Sequence, residues 1–130
     1  MRHLVLFLFL IVAVDFCSAQ GGASSVRKNE LYIADSLYNF GIAINKKIIA
    51  HTYYLINNTN DTLQIDTVNA SCDCLKIQYP KSLILPKSRS NIVTQLPTKD
   101  KDGEIEYYFQ VRFKGDYAPA HGIIKGTIKE

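Results

Sequence analysis

The chain has 130 residues, enough for one domain and too short for two well-packed ones. With 15 Lys and Arg against 12 Asp and Glu, the net charge is +3. That mild, scattered surplus excludes the basic stripe of a nucleic-acid binder: Lys46-Lys47 and Lys99 to Lys101 sit near presumed turns and read as solvated surface.

Residues 1–19 read as a signal peptide. Arg2 supplies the positive start, Leu4 to Val14 form an unbroken apolar run, and Cys17-Ser18-Ala19 places small residues where a signal peptidase cuts, before Gln20. The run is shorter than the about 20 apolar residues a spanning helix needs, and no later stretch approaches that length, so no transmembrane segment is expected. A lipid anchor at Cys17 is the minority alternative, since Asp15 and Phe16 stand where a lipobox wants small residues. The product is expected to be exported, periplasmic or extracellular. Residues 20–29 (QGGASSVRKN) form a Gly/Ser-rich flexible lead-in.

From residue 30 to 130 the pattern is short apolar runs with a period of two. Strands are predicted at Leu31 to Ala34, Ile48 to Asn57, Thr62 to Val68, Leu75 to Tyr79 and Ser90 to Leu96. The clearest strand follows: Ile105, Tyr107, Phe109, Val111 and Phe113 alternate with Glu104, Glu106, Tyr108, Gln110 and Arg112, which suits a sheet with one wet face. A last strand runs from Gly122 to Lys129. Turn signals separate them, among them Asn57 to Asp61, Pro80-Lys81-Ser82, Pro86-Lys87-Ser88 and Lys101-Asp102-Gly103. About seven short strands with such punctuation predict an all-β, immunoglobulin-like antiparallel β-sandwich. Ile48 to Ile56 is apolar on both faces, so the strand is either central and covered or part of a contact surface, and the covered strand is expected.

Asn39-Phe40-Gly41, then His51 to Asn57, then Leu63, Ile65 and Val68, then Ser71-Cys72-Asp73-Cys74 resemble the bacterial DUF1573 family, with Pro86, Gly103 and Gly126 as later counterparts. The resemblance covers nearly all of the chain after the lead-in and implies a small exported Ig-like domain of uncharacterised function. Asp73, Thr59 and Lys87 stand where the family pattern carries glycine. Each such loss restricts positive φ, so those turns are expected to change shape.

Cys72 and Cys74 are the only cysteines after cleavage, and in an exported protein an even count favours a disulfide. In a flat strand their Cβ atoms would lie farther apart than the about 3.8 Å a disulfide wants, so closure needs a bend at Asp73. Three readings stay open: a structural disulfide, two buried small hydrophobes, or a working pair for redox exchange or for Cu(I), which prefers thiolates. His51 is the auxiliary residue of the last reading, and its bland reading is a hydrogen-bonded core histidine. No metal is assigned and no cofactor is called for. Asn57, Asn60 and Asn69 open N-x-S/T triplets, and Asp35-Ser36, Asp61-Thr62 and Asp66-Thr67 each precede an aliphatic residue in a pattern some bacteria O-glycosylate.

The chain has no G-x-S-x-G, no H-E-x-x-H and no phosphate-cradling glycine loop. The expected function is therefore a non-catalytic exported module that binds another envelope protein, not nucleic acid. The alternative is a thiol-based redox or Cu(I)-handling protein using Cys72 and Cys74.

Overall fold

The computed structural model describes residues 30–130 apart from residue 46. The signal-peptide, lead-in and Cys17 readings lie outside the described residues. Eight strands follow in order: β1 (Leu31–Ala34), β2 (Leu37–Ile44), β3 (Ile48–Asn57), β4 (Ile65–Ala70), β5 (Lys76–Gln78), β6 (Ser88–Pro97), β7 (Gly103–Phe113) and β8 (Ala120–Lys129). They form two four-stranded sheets, ordered β1-β3-β6-β5 and β2-β8-β7-β4. This is the expected all-β, Ig-like sandwich.

β7 carries the alternation that the sequence predicts. Phe109 and Val111 are fully buried and Phe113 nearly so, while Glu104, Glu106 and Tyr108 face solvent. β2 has no counterpart among the predicted strands. Asn39 and Gly41 are poor strand formers, and a bulge between Asn39 and Ile42 interrupts the two-residue period. Gly41 takes φ +72 at the bulge, and its N–H donates to the Asn39 side chain at 2.9 Å. The other departure from the expected pattern is direction, for β2 runs parallel to β8. The chain reaches it by leaving the first sheet after Ala34 and turning through Asp35 at φ +48 to join the second.

The two inner faces meet in a column of aromatic side chains. Tyr38 of β2 stacks on His51 of β3 (centroids 3.7 Å, 8° apart), His51 meets Tyr53 edge-on at 4.6 Å, and Tyr53 meets Phe109 of β7 at 5.0 Å. Tyr53 is fully buried, and its hydroxyl crosses the sandwich to donate to the Ile123 carbonyl of β8 at 2.7 Å. Phe109 in turn lies over Gly122, where a Cβ would overlap the ring. Burial lowers the His51 pKa from its usual 6.5, and the Asp35 carboxylate pulls the other way.

A polar hub closes one end of the sandwich. Asn57 is fully buried; its amide donates to the Asp61 and Leu85 carbonyls, both at 3.0 Å, and its side-chain oxygen accepts from the Thr59 N–H at 3.0 Å. Thr59, where a glycine was expected, also donates its hydroxyl to Asn57 at 2.6 Å, and its φ is not positive. Lys87 does keep a glycine-like conformation, at φ +56.

β3 is central in its sheet, between β1 and β6, but its outward face is not covered by any described residue. Ile48 is 67% exposed and Tyr54 41%. The apolar outward positions of β3 are thus surface rather than core.

Three outcomes are expected. Tyr53→Phe keeps the ring but removes the hydrogen bond from the phenol to the Ile123 carbonyl, and costs about 1 kcal/mol in urea unfolding. Lys87→Gly removes a left-handed side-chain penalty of roughly 1–2 kcal/mol against a glycine entropy cost of about 0.5–1, so the midpoint rises. For His51 the unfolded chain takes up the proton first, because the folded pKa is the lower one. Its contribution is complete above pH 6.5 and is lost as pH falls below it. Unfolding curves between pH 7.5 and 5.5 should show a loss for the wild-type chain that His51→Phe lacks.

Candidate functional site

The chain crosses from the second sheet to the first between β4 and β5, and the two cysteines lie in that crossing. Ser71 still belongs to the β4–β7 ladder: its N–H donates to the Tyr108 carbonyl at 2.8 Å and its hydroxyl accepts from the Tyr108 N–H at 3.0 Å. Residues 72–75 then form a turn closed by the Leu75 N–H and the Cys72 carbonyl at 3.1 Å. This turn supplies the bend at Asp73. It brings the Cα atoms of Cys72 and Cys74 to 5.1 Å, and the two are joined by a disulfide. Asp73 does not need the positive φ of the glycine it replaces.

The two sulfurs have different surroundings. Cys74 packs against the core beside buried Leu75, whereas Cys72 lines a cleft of about 460 Å³ at the open edge of the sandwich. Val68, Ala70, Ile77 and Tyr79 form the cleft's apolar lining. Its walls, β4 and β5, are edge strands. The Cys74 N–H donates to the Cys72 sulfur at 3.1 Å, and the Lys76 ammonium reaches the Asp73 carbonyl at 3.4 Å.

His51 is not brought to this site. It lies on β3, two strands from β5 in the same sheet, and its ring is engaged by Tyr38 and Tyr53. Among the described residues no group of three or more His, Cys, Asp or Glu comes together as a metal cluster. His121 is exposed on β8 and pairs with the Gln110 amide at 3.1 Å. Of the N-x-S/T triplets, Asn57 is buried with its amide occupied and is closed to modification, while Asn60 and Asn69 are exposed. Ser36, Thr62 and Thr67 are exposed as well.

A second feature is the outward face of the first sheet, which the expectation of a covered β3 had hidden. Register places Tyr32, Ile56 and Arg89 in one row, Ala34, Tyr54 and Asn91 in the next, then Thr52, Val93 and Gln78. The remaining rows are Ala50, Gln95 and Lys76, and Ile48 with Pro97. Among the described residues no carboxylate occurs on it, and the charges there, Lys76 and Arg89, lie toward the β5 edge and one end. The Arg89 guanidinium sits 5.1 Å from the Tyr54 ring centre. The outward face of the second sheet differs in charge, with Glu104, Glu106, Arg112, Lys125 and Lys129 in its rows beside exposed Leu37, Ile42, Ile44 and Tyr108. The signal in the sequence is the run of uncharged residues at outward positions of β3 and β6.

The sequence profile described as "Protein of unknown function (DUF1573)" matches residues 31–128. Among solved structures, the chain is similar to the ASH/PapD-like domain 7 of human CEP192, with TM-score 0.64 and 7% identity over 78% of this chain and 86% of that one. It is also similar to part of the Vibrio cholerae VesB protease, with TM-score 0.60 and 12% identity over 78% of this chain and 32% of that one. A protein of unknown function from Porphyromonas gingivalis W83 matches with TM-score 0.61 and 9% identity, over 75% and 46% of the two chains. At these identities the likeness is one of fold. No curated protein matches the sequence, and among the described residues no helix is long and apolar enough to cross a membrane. The sandwich and the profile agree with the Asn39-Phe40-Gly41 to Cys74 pattern: the chain belongs to the DUF1573 family.

Proposed function

We propose that this chain is a non-catalytic, exported Ig-like module that binds another envelope protein through the outward face of its first sheet. The observation that carries the reading is that face: apolar and aromatic along β1 and β3, mostly uncharged polar along β6, and without a carboxylate among the described residues, beside a second sheet whose outward face is charged in both signs. Exposed tyrosines give contact area at low entropy cost, and Tyr54 under Arg89 has the composition of an interface anchor. The partner that fits is a protein surface with apolar anchors and an acidic rim, which would pair with Lys76 and Arg89. Export rests on the Arg2 to Ala19 pattern, and the non-catalytic reading on the lack of a hydrolase or phosphate-binding motif in the chain.

A photo-crosslinking residue at position 54 should capture one envelope protein, and one at position 108 on the opposite face should not. Binding of the purified pair should weaken at least tenfold with Tyr54→Ser and with Arg89→Glu, and be unchanged with Tyr108→Ser. Equal capture from both positions, or affinity indifferent to Tyr54, would overturn the reading. N-terminal sequencing of the envelope-associated protein should begin at Gln20.

A further inference from the structure

We infer that Cys72 is the exchange-active sulfur of a thiol–disulfide site whose partner is a dithiol on an extended polypeptide lying in the cleft between β4 and β5. The inference does not depend on the sheet-face reading above, which concerns another surface.

The first observation is that the bond does little for the fold. It closes a ring of three residues, whereas a loop of about 15 residues is needed for roughly 3 kcal/mol of chain restraint. The segment is already held on both sides, by Ser71 on Tyr108 and by the Leu75–Cys72 hydrogen bond with Leu75 in the core. A disulfide that is dispensable as a staple is free to open and close without unfolding the domain.

The second observation is the asymmetry of the pair. Cys72 faces the cleft and Cys74 the core. The Cys74 N–H points at the Cys72 sulfur and belongs to the turn, not to the bond, so it remains there to solvate a Cys72 thiolate, the reactive form. The Lys76 ammonium stands at the same turn, 3.4 Å from the Asp73 backbone carbonyl.

The third is the cleft itself. Its lining mixes Val68, Ala70, Ile77 and Tyr79 with Asn69 and Lys76 and so takes both apolar and polar side chains, and both of its walls are strands that lack a neighbour on that side. An extended polypeptide offers those side chains together with backbone groups for an open edge. A small hydrophilic thiol offers neither.

The chemistry balances as reversible exchange. A thiolate of the partner attacks the Cys72 sulfur, the Cys72–Cys74 bond breaks, and its electron pair leaves on Cys74, which takes a proton from water. The partner's second thiolate then attacks its own sulfur in the mixed disulfide, and the electron pair passes to Cys72 as thiolate. The Cys72–Cys74 pair is reduced by two electrons and the partner dithiol becomes a disulfide; the reverse sequence starts from the Cys72 thiolate.

The test uses the full chain, with peptide mapping that reads Cys72 and Cys74 separately from Cys17. The probe is a reduced synthetic peptide with two cysteines flanked by alternating valines, compared with glutathione at equal thiolate concentration. The peptide should reduce the native protein at least tenfold faster. A single-cysteine version should be trapped on Cys72, and limited alkylation of the reduced protein should favour Cys72 over Cys74 at least tenfold, with an unchanged melting curve. Adducts on Cys74, equal alkylation of the two, glutathione as fast as the peptide, or a bond that opens only after denaturation would each overturn the inference.

Discussion

The sandwich depends on one side chain that belongs to both layers. Tyr53 starts from β3, fills the space between the sheets with its ring and ends on the Ile123 carbonyl of β8. Its phenol finds its acceptor on the opposite sheet, and this ties the spacing and the register of the two sheets together. Other choices follow from that placement. Phe109 must meet the Tyr53 ring at its edge, which lays Phe109 across β8, so position 122 can carry no side chain. His51, one step along the same face, is then confined between Tyr53 and Tyr38, and burial lowers its pKa. The histidine is there a flat ring completing a stack.

Legibility in the sequence tracked how local each determinant is. β7 could be read because its alternation is unbroken from Ile105 to Phe113, and β3 because its run of β-branched and aromatic residues has clear turn residues beyond it. β2 could not, since the Asn39–Ile42 bulge shifts the phase midway and its partner β8 lies at the far end of the chain. The Cys72–Cys74 contact was legible as a conditional: a bend at Asp73 was required, and the turn supplies it. The outward face of β3 was legible only as a choice between covered strand and contact surface, because apolar residues on both sides of a strand look alike whether the second side is buried or bare. Of the lost glycines, Lys87 retains the left-handed backbone while Asp73 and Thr59 do not. Only the three-dimensional role of each turn distinguishes them.

The two unusual surfaces are distinct in kind. The face of the first sheet is broad, made of side chains that stand on the β1–β3 and β3–β6 ladders. The cleft at β4 and β5 is narrow, and there the backbone itself is unpaired on one side. One suits a folded surface and the other an unfolded segment, so the domain can present both without competition between them.

The strand switch at Asp35 has a mechanical consequence. The described chain enters beside Asn57, at one end of the sandwich, and leaves after Lys129 beside Ile44, at the other. A pull between its two termini draws β2 backward and β8 forward. Because the two strands are parallel and register from Leu37–Ile123 to Ile44–Lys129, that tension loads their hydrogen bonds in shear, all at once rather than one after another. Tension along the chain is thus met by the β2–β8 ladder as a unit, interrupted only at the bulge between Asn39 and Ile42.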